Sequence, residues 1–214
     1  MLVWGGSTSV GSNAIQLAVA AGYDVITTAS PRNFDYVTSL GACQVFDYNS
    51  PTVVDDIVAA FQGRTLAGAL ALGTTSADAC AAIVRACTGK KFVSIASTPV
   101  SFDGLADQNR ARFALPRLIF QLVSANMSLA LKTRPRGIGT KFIFGTTLKS
   151  NEVSTAIYQD FLPSALAEGR YLAAPVPSVV GHSLTDIQRA LDIQRKGVSA
   201  QKVVVSLPPS NARG

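Results

Sequence analysis

At 214 residues, with 48% hydrophobic and only 15% charged residues, the chain can build one large core and does not have the composition of a disordered or fibrous protein. Its formal charge is +6, but the basic residues are scattered, with no aromatic-interleaved stripe. That argues against nucleic acid as a partner and leaves room for a basic subsite for a phosphorylated ligand.

Leu2-Val3-Trp4 reads as a short strand. A glycine turn follows from Gly5 to Gly11, and then an apolar pattern of helical period through Val10, Ala14, Ile15, Leu17, Ala18 and Ala21. Strand, glycine turn and helix in that order make the first half of a dinucleotide-binding unit. The free N–H groups and positive dipole end of the helix attract a pyrophosphate. Glycine allows a tight turn and close approach, and Ser7, Thr8 and Ser9 add hydroxyl donors. The spacing from Gly6 to Gly11 is G-x-x-x-x-G, without a glycine two places after the first. Ser12-Asn13 stands where a P-loop has Lys-Ser/Thr. The turn is either a phosphate cradle or a glycine-rich β–α turn that binds nothing.

Asp24 to Ala29 is the second strand, running into Ser30-Pro31-Arg32-Asn33. An NAD site commonly carries an acid at this tip for the ribose 2′-hydroxyl. Here Ser30, Arg32 and Asn33 can instead donate to a 2′-phosphate, although the same residues also suit a plain turn. Residues 34–41 form a short helix ended by Gly41. Gln44 to Tyr48 is the third strand, and Tyr48 at its carboxyl end either contacts an adenosine or caps the core edge. Pro51 to Gln62 is helical and Leu66 to Gly73 is the fourth strand. Ser76 to Cys87 is a helix with Ser76 as its cap, and Lys91 to Ala96 is the fifth strand. This alternation predicts an α/β fold, a doubly wound parallel sheet of the Rossmann type.

The alternation breaks over residues 101–139, an irregular insertion on this reading. It contains an apolar stretch, 113–131, interrupted by Pro116, Arg117, Gln121 and Asn126. A helix over the sheet or a substrate cleft fits it better than a membrane-surface helix or a span. Lys141 to Thr146 is the sixth strand and Glu152 to Glu168 a long helix. Val176 to Val180 is extended, Ser183 to Arg195 is a helix capped by Ser183 with Asp186, and Lys202 to Leu207 is the last strand. Residues 208–214 are expected to be a disordered tail.

Cys43, Cys80 and Cys87 include no C-x-x-C, and His182 is the only histidine, so no metal site is expected. Cys80 and Cys87 fit as small core residues, and His182 as a structural cap. No leader of secretory type is read, and a reducing, cytoplasmic setting is expected. The Tyr-x-x-x-Lys pair of short-chain reductases is absent, and no catalytic residue is assigned.

Four motifs in order, G-G-S-T-S-V-G-S-N-A-I-Q-L-A, S-P-R-N, L-G-A-C-Q-V-F-D-Y and K-G-V-S-A-Q-K-V-V-V, resemble the medium-chain dehydrogenase/reductase superfamily. The likeness is greatest to its zinc-independent quinone-reductase and trans-acting enoyl-reductase branch in filamentous fungi. The resemblance implies NADPH as cofactor. Gly6, Ser7, Thr8, Ser9, Val10 and Gly11 would then lie at the pyrophosphate, Ser30, Arg32 and Asn33 at the 2′-phosphate, and Tyr48 on the adenosine side. Val198 and Ser199 would lie toward the nicotinamide. It implies hydride transfer to a small-molecule enoyl, enone or quinone acceptor, with the cofactor carrying the chemistry. It further implies a division into a cofactor domain over 1–174 and a segment, 175–207, that packs into a GroES-like catalytic domain expected to be missing. Val203 to Val205 would then be an unpaired edge. A homodimer through Phe142 to Thr146 is a possible assembly, and an NADPH-binding or interaction module without catalysis is the alternative function.

Overall fold

The computed structural model describes residues 1–98, 108–145 and 151–207, and the backbone alone for 108–114. The expected tail, 208–214, lies outside the described residues, as do 101–107 of the insertion and Thr146 of the sixth strand.

Strands β1 (Leu2–Trp4), β2 (Val25–Ala29), β3 (Ala42–Asp47), β4 (Ala69–Ala71), β5 (Phe92–Ile95) and β6 (Gly139–Phe142) form one sheet in the order β3-β2-β1-β4-β5-β6. Every neighbouring pair is parallel. Helices α1 (Ser9–Ala20), α2 (Phe34–Ser39), α3 (Val53–Ala60) and α4 (Ser76–Ala86) connect the first five strands. The predicted doubly wound α/β sheet is therefore the observed fold.

The unbroken apolar strands follow from burial on both faces. β1, β2 and β4 are buried throughout. Because successive side chains alternate, Leu2 joins Ile26, Ile57, Ile83 and Val93 beneath α3 and α4. Val3 joins Ile15, Val25, Val37 and Leu70 beneath α1 and α2. Each such side chain contributes roughly 1.5–3 kcal/mol by leaving water. Two buried polar residues, Thr27 and Thr28, break the pattern for a backbone reason. Thr27 Oγ1 donates to Val3 O at 2.7 Å, and Thr28 Oγ1 accepts from Gly5 N at 3.0 Å. Both hydroxyls hold the chain where β1 turns away from the sheet.

Helix α4 begins differently from the sequence reading. Thr75 occupies the cap position, and Ser76 is the first helical residue, its buried hydroxyl donating to Gly73 O at 2.7 Å. At the other end Lys91 Nζ donates to the carbonyls of Val84, Arg85 and Cys87, a cation where the dipole is negative.

The insertion is not irregular where it is described. Residues Gln108–Thr133 form a 26-residue helix, α5, which passes through Pro116. It stops where buried Thr133 bonds back to Leu129 O and Gly137 takes φ +66°. Leu118 and Thr133 are buried, while Leu115, Ile119, Phe120, Val123, Met127 and Leu131 are each more than half exposed. Over its described side chains the helix thus touches the rest of the fold along one edge. Among the described residues no helix is long and apolar enough to cross a membrane. Strand β6 starts earlier than predicted because Gly139 N already bonds Lys91 O, and among the described residues it pairs with β5 alone.

The helix expected over Glu152–Glu168 is three pieces: α6 (Glu152–Thr155), a π turn over Ala156–Phe161, and α7 (Leu162–Ala167), which has Pro163 in its first turn. Beyond it, β7 (Val176–Gly181), α8 (Ile187–Lys196) and β8 (Gln201–Val205) make a parallel two-stranded unit. Val203, Val204 and Val205 pair with Ser178, Val179 and Gly181. β7 covers one side of β8, and among the described residues its other side is the unpaired edge expected. The predicted cap is present, with Asp186 Oδ2 accepting from the N–H groups of His182 and Ser183, both at 3.1 Å.

Candidate functional site

The strand order reverses between β1 and β4, and open α/β sheets bind ligands at the carboxyl ends beside that point. Gly5 leaves β1 there with φ +88°, where an added β-carbon would lie 3.1 Å from Leu72 O at the end of β4. The turn is then closed by its own atoms. Thr8 Oγ1 accepts from Gly11 N at 3.0 Å and donates to Gly5 O at 2.9 Å. Ser12 Oγ donates to Gly6 O at 3.1 Å and shares a proton with Tyr36 OH at 2.9 Å.

A β-carbon on Gly11 would press on Gly5 O and lie 2.8 Å from Gly6 Cα. One on Gly6 would press on Thr27 Oγ1 and lie 2.8 Å from Ile15 Cδ1. These two glycines let the turn fold onto itself and onto the sheet. The position where a middle glycine is missing, Thr8, caps α1 through its hydroxyl. Thr8 satisfies the third helical N–H, leaving those of Ser9 and Val10, in the first turn of α1, without a partner among the described residues. A pair of free donors at a positive helix end fits a phosphate, so the donor set suits a dinucleotide.

At the end of β2, Ser30 leads into a single turn of 3-10 helix, Pro31–Asn33. Asn33 is buried, with its N–H on Ser30 O at 2.8 Å and its Nδ2 on Ser30 Oγ at 3.0 Å. Arg32 is exposed and forms no ion pair among the described residues. Two acids stand in this region: Asp35 in the first turn of α2, and Asp47, in register with Ala29, whose Oδ1 accepts from Asn49 N and Nδ2 at 2.9 and 3.1 Å. Tyr48, next along, is exposed.

Ser199 meets this same end of β2, where Asn33 Nδ2 also donates to Ser199 Oγ at 3.0 Å. Val198 precedes it in the loop between α8 and β8. The structure thereby brings together Ser30, Asn33 and Ser199, separated by up to 169 positions in the chain.

The sequence reading missed what holds that loop in place. Asn13 Oδ1 accepts from Tyr171 OH at 2.6 Å, and Asn13 Nδ2 donates to Ala174 O at 3.3 Å. Gln16 exchanges two hydrogen bonds with the backbone of Leu172. Burial, with the neighbouring Tyr158 second, raises the Tyr171 hydroxyl above the ordinary tyrosine value. The available signal was the pair of amide side chains, Asn13 and Gln16, on successive turns of an otherwise apolar helix.

A cleft of about 480 Å³ opens beyond β4 and β5, lined among others by Gly73, Thr75, Ser97, Asn126, Arg134 and Phe142. Gly73 N donates to Ser97 Oγ at 2.9 Å across its floor. Among the described residues no three His, Cys, Asp or Glu side chains gather. Cys80 and Cys87 are core residues whose thiols are pushed up by burial. His182 Nδ1 pairs with Ser206 Oγ at 2.6 Å, joining the ends of β7 and β8.

No family model matches the chain. It is 49% identical to dehydrogenase pigH of Monascus ruber over 97% of its own length and 55% of that protein's. It is 47% identical to the zinc-binding alcohol dehydrogenase domain-containing protein cipB of Emericella nidulans, over 92% of its length and 53% of that protein's. Trans-enoyl reductase himH of Aspergillus japonicus is 34% identical over 98% and 53%. Among solved structures, the CurK enoyl reductase superposes with a TM-score of 0.66 at 18% identity, over 97% of this chain and 54% of that one. A mycobacterial protein complexed with NADPH superposes with a TM-score of 0.63 at 19% identity, over 97% and 57%. The chain spans about half the length of the relatives it matches.

Proposed function

Because the chain belongs to the medium-chain dehydrogenase/reductase superfamily, we propose that it is the nicotinamide-binding part of an NADPH-dependent, zinc-free oxidoreductase. The observation that carries this is the Thr8-capped turn, which leaves the Ser9 and Val10 N–H groups free, among the described residues, beside the strand-order reversal. There they receive the pyrophosphate. Ser30 and Arg32, at the tip of β2, receive the 2′-phosphate, with Tyr48 on the adenosine side. The nicotinamide extends toward the ends of β4 and β5 and the cleft between them.

When bound, the nicotinamide supplies a hydride for an electron-poor carbon of an enoyl, enone or quinone acceptor. The chain's own residues bind and orient it. The β7–α8–β8 unit exposes Val176, Val179, Leu184 and Leu191, apolar surface suited to a second, catalytic domain or chain. Residues 1–174 form the cofactor domain on this reading, 175–207 the docking segment, and the edge of β6 a homodimer contact. The setting is cytoplasmic.

Titration of the purified chain with NADPH and NADH, followed by nicotinamide fluorescence, tests the reading. Saturable binding with NADPH preferred is the expected result. No binding of either cofactor rejects it, and would favour an interaction module that holds no nucleotide.

A further inference from the structure

We propose that Ser199 completes the subsite for the cofactor's 2′-phosphate and that Asn33 is the positioning residue which aims it; this rests on the cofactor reading above. The argument is one of hydrogen-bond accounting. An Asn amide has two N–H donors, and a serine hydroxyl has one proton to donate and can accept as well. Both donors of Asn33 are spent on hydroxyls, Ser30 Oγ and Ser199 Oγ, each at 3.0 Å. The Ser30 hydroxyl proton is then available for a third group, and that of Ser199 has only a long bond to Asn33 Oδ1, at 3.5 Å, to exchange for a better acceptor. A phosphate accepts from both, and charge-assisted bonds of this kind are the strong ones.

Asn33 itself is 8% exposed and its amide is occupied by the two serines. It acts as the brace, with Ser30 and Ser199 as the contacts. Arg32 stands in the same turn with no acid paired to it among the described residues, so the charge a 2′-phosphate requires is at hand. Asp47, in register with Ala29 on the neighbouring strand, already holds Asn49.

The loop that delivers Ser199 provides a second, independent observation. Gly197 has φ +88°, and Ala200 has φ +49°, making it the one non-glycine residue at positive φ among the described residues. A strained backbone of this kind persists only where its surroundings hold it, and such positions gather at ligand clamps. Here the strain sits next to the one side chain of the loop that reaches Asn33. The inference adds a specificity-determining residue contributed by the docking segment, 166 positions beyond Asn33. Preference for NADPH over NADH therefore depends on where the β7–α8–β8 unit sits.

The test is the affinity of the full chain for NADPH, NADH and adenosine 2′,5′-bisphosphate, in the native sequence and in Ser199→Ala, Ser199→Thr and Asn33→Asp. Ser199→Ala is expected to weaken NADPH and the bisphosphate about tenfold, the scale of one bond to a charged group, with NADH unchanged. Ser199→Thr retains the hydroxyl and the affinity. Asn33→Asp loses the donors and adds a like charge, so it weakens NADPH more than Ser199→Ala does and spares NADH. Equal losses for NADPH and NADH in Ser199→Ala mean a structural role and overturn the proposal, as does NADPH affinity unchanged in that variant. A native chain that binds both cofactors equally also overturns the proposal, whereas one that binds neither removes the cofactor reading itself, an outcome visible before any variant is made.

Discussion

Gln16 and Leu172 hold each other by two hydrogen bonds, Leu172 N to Gln16 Oε1 at 2.7 Å and Gln16 Nε2 to Leu172 O at 3.1 Å. A side-chain amide thus stands in for a strand partner. It fixes the start of the C-terminal segment on α1, the helix that carries the proposed phosphate turn. Gln16→Ala is expected to cost roughly 1–3 kcal/mol, since it leaves a half-buried N–H and C=O unmet. Denaturant unfolding gives the magnitude. Hydrogen exchange that does not speed up at 171–174 would show that the clamp is not what holds them.

Gly11→Val should be the most damaging change in the turn. Even the first carbon of the new side chain meets Gly5 O and Gly6 Cα, backbone that cannot step aside. A loss of roughly 3 kcal/mol or more is expected, with binding of NADPH and NADH impaired alike. A thermal midpoint within a degree or two of the native one would contradict the packing described.

Arg32→Ala separates the two cofactors. Arg32 is exposed and forms no ion pair among the described residues, so its removal leaves the fold intact. NADPH affinity should drop about tenfold or more, while NADH affinity holds. Parallel titrations decide, and equal losses would take Arg32 out of the site.

Tyr171 predicts how stability varies in alkali. Its hydroxyl donates to Asn13 at 2.6 Å, and burial, then Tyr158, raises its folded pKa above the ordinary 10.0. Below that ordinary value both folded and unfolded forms are protonated and the bond contributes in full. Above it the unfolded tyrosine ionises first, and the contribution falls until the folded pKa is passed. Tyr171→Phe should therefore be about 1 kcal/mol less stable at pH 7, with the gap closing as pH rises above 10. Urea midpoints measured for both proteins across that range check the sign; a gap that widens is incompatible with it.

Thiol accessibility checks the core. Cys43 is exposed while Cys80 and Cys87 are buried, their thiols raised by burial. One equivalent of a maleimide should react quickly with the native protein and two more only on unfolding. Three fast equivalents would mean that α4 does not pack as described.

Much of the sheet was legible because its determinants are local. Leu2-Val3-Trp4 and the Gly5–Gly11 turn declare strand and turn by residue type, and the doubly wound order follows from alternation. What was lost lay in three places. Helix α5 was obscured because Pro116 and scattered polar residues interrupt its period, yet the backbone passes through them. β6 was misplaced by two residues because its start is set by the carbonyl of Lys91, a partner that sequence pattern does not reveal. The grip of Asn13 and Gln16 on 171–174, and of Asn33 on Ser199, spans more than 150 positions. Nothing in the spacing of an amide residue says which distant backbone it will meet.

The first helix leaves little of itself uncommitted. Gly11 and Ile15 lie against the sheet, Ser12 against Tyr36, Asn13 and Gln16 against the C-terminal segment, and the leading N–H groups toward the proposed anion. Only Val10, Val19 and Ala20 remain at the surface. Mutational latitude within α1 is therefore confined to those positions. Any lineage that remodels its C-terminal segment must change this helix in step, or lose the attachment that α1 provides.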